Sequence, residues 1–355
     1  MKIKITALDT LFFRDGKPFS MGEETWATGQ FPPMPSVFYG AIRSLYFSIF
    51  PEAFSNIENE DPSENLEINE ITLWQSRDRL FPCPSDLVEI KDMEEYQLLQ
   101  LEDNKTDSSY PLSYLLKSDN QVESLIGKAV LTEDEFKDEY LKGEQPTAVL
   151  KLEKFLLSEP KVGIGRNNIT RTTEEGQLYR VGLNRLDNKE DGKLEFFIDF
   201  NGLDFQEKLP KNGFLKLGAE NKVVAYSIIE KPNKEIEEVK IEKQFKLVLT
   251  SPAIFKNGWF PDFLNDEFEG DFQGAKVKLI AAATGRAISV GGYDMKNKRP
   301  KPMFKALPAG STFYFEIIDN ATITLTDKPL KLNCVKGMEK QGFGIAYIGN
   351  IEVQN

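Results

Sequence analysis

The sequence predicts an α+β protein of two compact units with antiparallel sheets, the first carrying a long acidic insertion. Three observations carry this. Alternating, strand-like segments open both halves: KIKITALDTLFF at residues 2–13 and QFKLVLTSPAIF at residues 244–255. A run with apolar residues four apart, PSVFYGAIRSLYFSIF, follows the first of them. Acidic residues are concentrated in residues 51–160, where 26 stand against 10 basic ones for a net of −16. The remaining 30 acidic and 34 basic residues net +4, so the overall −12 says little about the surface of the rest. The expected division is 1–243, with the insertion at about 51–160, and 244–355.

Each element follows from its residues. Residues 2–13 read as a strand with Ile3, Ile5 and Ala7 buried and Leu8 as a further candidate. Asp15-Gly16 supplies a tight reversal. Ser36 is a good N-cap for a helix over residues 37–50, with Val37, Ala41, Leu45 and Ile49 on its inner stripe. Gly40, Ser44 and Ser48 form a second stripe that invites another backbone close. The insertion is expected to pack helices such as EEYQLLQLED and TEDEFKDEYLKG over the sheet. Strands return with YRVGLNRL and KLEFFIDF around the turn-rich DNKEDG, then with GFLKLGAENKVVAYSIIE. KPNKEIEEVKIEK connects the halves, and GAKVKLIAAATG, STFYFEII and GFGIAYIGNIEV complete the second sheet.

Composition excludes several function classes. The chain of 355 residues contains no histidine, which removes the commonest general base and metal ligand. Cys83 and Cys334 lack the spacing of a zinc site or a disulfide framework. No apolar run is long enough to span a membrane, and the N-terminus lacks a signal-peptide cleavage site. A cytoplasmic protein with no metal and no cofactor is expected.

Three motifs remain. GFGIAYIG, with Gly342, Phe343 and Gly344, lacks the third glycine and the long helix of a dinucleotide site. It is a close-approach loop for a phosphate backbone or a turn before the last strand. KVGIGRNNITRTTEEGQLYR holds Arg166, Asn167 and Arg171, donors suited to tracking phosphates or to an interface arm. GGYDMKNKRPKPMFKALPAG places Lys296, Lys298, Arg299 and Lys301 near Tyr293 and Phe304, suiting phosphate contact plus base stacking or a solvated basic loop. DNKEDGKLEFFI fails as a calcium loop, because Ile198 stands where a glutamate is needed.

These segments, with FFRDGKPF and PPMPSVFYGAIR in the same order, resemble the RAMP-superfamily subunit of the type III-B CRISPR effector (the Cmr complex) that caps the guide RNA. The resemblance spans essentially the whole chain and is weakest in the acidic insertion. It implies two ferredoxin-like, RRM-like domains and a non-catalytic role. The partners it implies are the 5′ tag of crRNA, the large polymerase-like subunit and a neighbouring backbone RAMP subunit. It carries RNA binding over to Ser36 and Arg43 at the helix entry, Arg166, Asn167 and Arg171 in the arm, the four cations of the basic loop, and Gly342, Phe343 and Gly344. The competing reading is a metal-independent RAMP endoribonuclease that processes precursor crRNA, and a third is a pure protein adaptor.

Overall fold

The computed structural model of the protein describes residues 1–14, 26–27, 29–55, 61–76, 78–104, 109–188, 192–230, 238–294 and 298–351. It is mostly β, with few helices and several antiparallel sheets. The first large sheet is built from β1 (Lys2–Ala7), β2 (Glu67–Gln75), β3 (Asp78–Pro82), β4 (Ala129–Thr132), β5 (Gly192–Asn201), β6 (Asn212–Lys216) and β7 (Val223–Ile229). Its order is β4-β3-β2-β5-β1-β7-β6, with the short strands Leu150–Lys151 beside β4 and Asp187–Asn188 beside β5. The second is built from β8 (Gln244–Leu249), β9 (Ala275–Ala283), β10 (Thr312–Ile317) and β11 (Ile345–Asn350), in the order β9-β10-β8-β11, with the edge strands Glu269–Phe272 beside β9 and Leu330–Lys331 beside β11.

Both sheets repeat one arrangement. The strand that opens the unit is central, β1 between β5 and β7, and β8 between β10 and β11, with every pair antiparallel. The alternation of KIKITA turns Ile3, Ile5 and Ala7 into the first core, as its period demands. Leu8 lies beyond the strand and is exposed, and the strand ends at Ala7 rather than near residue 13.

The helix α1 (Pro35–Ile49) covers the first sheet, burying Phe38, Ala41, Ile42, Leu45 and Tyr46. Phe38 meets Phe196 of β5 edge-on at 5.0 Å. Met34, not Ser36, is the N-cap, because Pro35 occupies the first turn and pre-sets the helical φ without needing a donor. No backbone approaches along Gly40: a Cβ there would meet nothing within 4 Å, and Ser44 Oγ donates back to the Gly40 carbonyl. Among the described residues the second unit has no counterpart of α1. Between β8 and β9 a turn-rich segment buries Ala253, Ile254, Phe255, Phe260 and Leu264 instead.

The acidic segment is not helical in the main. It supplies β2, β3 and β4 to the first sheet and short strands beyond it. EEYQLLQLED contains the strands Tyr96–Leu98 and Gln100–Asp103, because Tyr96 and Leu98 pack into one cluster and Leu101 into another, which no single helix stripe could do. TEDEFKDEYLKG does form helical turns, Glu135–Glu139 and Tyr140–Lys142. The segment also covers the sheet of the other unit: Phe81, Leu87, Phe136 and Tyr140 pack on Val248 and Tyr347, and Leu101, Tyr114 and Leu116 on Ile280 and Tyr314.

Candidate nucleic-acid interface

The basic loop is a ribbon. Ile288–Val290 pairs with Phe304–Ala306, and beyond it Tyr293–Asp294 pairs with Arg299–Pro300. Lys298, Arg299 and Lys301 are exposed and form no ion pair among the described residues, while Lys305 donates to Ser289 Oγ at 3.0 Å. Lys298 has φ +48°, a turn conformation at the ribbon's tip. Lys296 lies outside the described residues, as does the side chain of Tyr293. Phe304 is half-buried and already covered by Lys336, whose Nζ is 5.2 Å from the ring centroid.

The second candidate is a long hairpin arm, Leu157–Arg166 paired with Thr173–Arg185. Its tip is locally wired. Asn167 Oδ1 accepts from the backbone N–H groups of Ile169 and Thr170, at 2.9 and 3.0 Å. Arg166 Nε donates to the Arg171 carbonyl at 2.9 Å, and Arg171 takes φ +60°. The arm exposes Val162, Ile164 and Ile169 beside these cations, so a partner meeting it would find charge and apolar surface together.

The helix entry is already engaged within the chain. Ser36 is half-buried in the first turn of α1. Arg43 donates from Nε to Ser63 Oγ and from Nη2 to Asp61 Oδ2, both at 2.7 Å, and lies over the Phe47 ring. The glycine loop is engaged too. Gly342 and Gly344 take φ +94° and +70°, and Phe343 is fully buried in the second core. A Cβ on Gly342 would stand 3.0 Å from Ile68 of β2, so this glycine lets the loop pack on the first sheet. The structure thus leaves the ribbon and the arm exposed, and uses Arg43 and the glycine loop for internal contacts.

Sequence reasoning missed a buried cluster that joins the acidic segment to the second sheet. Asp86, fully buried, accepts from Tyr140 at 2.7 Å, from Tyr314 and from Thr312. Lys246 of β8 lies beside it with its Nζ 3.5 Å from the Tyr140 ring centroid. Burial pushes the Lys246 ammonium down to about 8 against the pull of Asp86, and burial with Asp86 nearby holds both tyrosines well above 10. The available signal was a lone lysine inside QFKLVL.

Two antiparallel sheets of one strand order, locked through a glycine loop and fringed by basic ribbons, define a RAMP-like protein. The chain belongs to the family described as CRISPR-associated protein (Cas_Cmr3), whose model matches residues 3–351. No curated protein matches it in sequence. Among solved structures, it is similar to a chain of the type III-B Cmr-beta complex bound to cognate target RNA and AMPPnP, state 1. It is equally similar to a chain of that complex bound to cognate target RNA. In both cases the TM-score is 0.53 at 17% identity, over 88% of this chain and 86% of the other.

Proposed function

We propose that this chain is a non-catalytic subunit of a type III-B CRISPR ribonucleoprotein, holding the 5′ repeat-derived tag of crRNA and docking the large polymerase-like subunit. In this reading a neighbouring backbone RAMP subunit completes its surroundings. Residues 1–243 and 244–355 form two ferredoxin-like domains, whose shared strand order is that of a β-α-β-β-α-β sheet with helices partly replaced by loops.

The observation that carries the proposal is the ribbon: Lys298, Arg299 and Lys301 are exposed, and unpaired among the described residues, on a chain whose net charge is −12. Cations left without a carboxylate on an acidic protein suit phosphates, and the arm's Arg166, Asn167 and Arg171 extend the same chemistry. Family membership supports the setting. Tyr140, Tyr314 and Lys246 are buried, with both hydroxyls donated to Asp86, so this cluster offers no exposed tyrosine–lysine pair for cleavage of an RNA strand.

The test is binding of the assembled complex to guide RNA over a salt series. Replacing Lys298, Arg299 and Lys301 together by alanine should flatten the log–log slope by up to about two units, at about 0.7 per phosphate. Affinity should fall alike for tag and unrelated RNA, because phosphate contacts carry no sequence information. An unchanged slope with lost assembly would assign the ribbon to the protein interface instead.

A further inference from the structure

Between the acidic segment and the second sheet lies a cavity of about 980 Å³. Leu101 and Leu115 line it from the hairpin Gln100–Asp103/Tyr114–Lys117, and Ile280 and Tyr314 from the sheet. Lys246 is at its floor, only 3% exposed. An ammonium carries three donors, and burying them without acceptors is costly. Among the described residues Lys246 Nζ makes no hydrogen bond and no ion pair; it lies over the Tyr140 ring and feels the Asp86 charge. Asp86 is already occupied by the hydroxyls of Tyr140, Tyr314 and Thr312. Lys246 is among the residues that line the cavity.

We propose that this cavity is a binding site for a ligand bearing one carboxylate on an apolar body, anchored by Lys246. The floor offers a single cation, and the leucines and isoleucine above it offer apolar contact. The mouth is acidic, with Glu102, Asp103 and Glu144 exposed. Lys117, the other cation there, is paired with Glu102 at 2.7 Å. That mouth disfavours a phosphodiester chain, with its several negative charges, more than a ligand with a single carboxylate. A single carboxylate, as a free acid or as a glutamate side chain of a peptide, fits both ends. The proposal is independent of the RNA role.

The experiment uses the full chain and four probes. These are 5-methylhexanoate and its amide, and the blocked peptides acetyl-Leu-Glu-Leu-amide and acetyl-Leu-Gln-Leu-amide. Binding is followed by NMR of ¹⁵N-lysine-labelled protein at pH 7. At least one acid should bind saturably, shift the Lys246 resonance and raise its pKa, while its amide binds about tenfold or more weakly. The acid that binds names the source, free metabolite or peptide side chain. Lys246→Met should abolish the preference for acid over amide, and Lys117→Met should leave it intact. Because the pKa of Lys246 is read in the unmodified protein, the outcome does not depend on the variants folding. Equal binding of acids and amides, or no binding of either acid, would each overturn the proposal.

Discussion

The two sheets share a strand order and differ in what becomes of their outer faces. On the first, the residues of β1 that point away from the core are Lys2, Lys4 and Thr6. They are met by carboxylates of the neighbouring strand: Lys4 pairs with Glu195 at 2.9 Å, and Lys2 lies 3.9 Å from Asp199. Lys2 and Arg79 also lie over the Phe197 ring, at 5.6 and 4.9 Å. Around β1 that face is finished by its own long side chains, while farther along Tyr347 of the second sheet donates to Glu70 of β2. On the second sheet the corresponding face carries Lys246, Val248, Tyr314 and Tyr347, all buried beneath the acidic segment. Strand order therefore does not decide whether a sheet face is free. The side chains decide it: KIKITA alternates between buried and half-buried, while QFKLVL is buried from its second residue onward.

The largest effect should come from breaking the cover. Asp86→Ala leaves Tyr140, Tyr314 and Thr312 without their acceptor and Lys246 without its countercharge. Removing one member of a buried charged set costs about 3–5 kcal/mol. Urea denaturation measures it, and hydrogen exchange in Tyr114–Lys117 should rise with it if that hairpin is released. A loss below about 1 kcal/mol would mean the acidic segment is held by its aromatic contacts alone.

Leu45→Ala tests the other unit, where α1 is the cover. Leu45 is buried in the first core, and such truncations cost about 2–5 kcal/mol. The comparison predicts that this variant leaves exchange in the second sheet unchanged, which residue-resolved measurements can check.

This contrast also explains what was legible in the sequence. The opening strands, α1 and the glycine loop were readable because period and turn chemistry are local. The cover was not. EEYQLLQLED looks helical by composition, yet Leu98 and Leu101 belong to different clusters on a distant sheet. QFKLVL was expected to alternate like KIKITA, and the missing alternation is visible only as Leu247, Val248 and Leu249 in succession. Ser36 looked like a cap, but Pro35 took the first turn. For the site, the ribbon's cations were plain from charge alone. That Arg43 is consumed by Asp61 and Ser63 depends on a contact no local pattern records.

Lys246 gives the comparison a pH dependence. Its folded value of about 8 lies below the ordinary 10.5, so between pH 8 and 10 the unfolded chain holds a proton that the folded chain has shed. Stability should therefore rise with pH across that window, by at most about 3 kcal/mol. Above pH 10 the buried Tyr140, Tyr314 and Tyr347, all held above their ordinary value, reverse the trend, because the unfolded chain loses their protons first. Lys246→Met should abolish the rise. A wild-type profile that is flat from pH 8 to 10 would show the ammonium to be better solvated than its burial indicates.

The smallest effect comes from the lysine that holds the equivalent place in the first sheet. Lys4 and Lys246 are each the third residue of the strand that opens their unit. Lys4 is partly exposed and paired with Glu195, which also accepts from Thr6. Lys4→Met should cost only about 1 kcal/mol, since a single partly exposed pair gains little and Glu195 keeps its other donor. The cost should shrink further in 1 M salt, where screening reaches about 3 Å. The pair of methionine variants then separates the faces by their pH behaviour. Between pH 8 and 10, Lys246→Met should lose ground to wild type as wild type gains stability, while Lys4→Met should track wild type at a constant offset. Parallel curves for both variants would mean that the acidic segment does not shield its sheet from water, and the difference between the two faces would reduce to one of sequence alone.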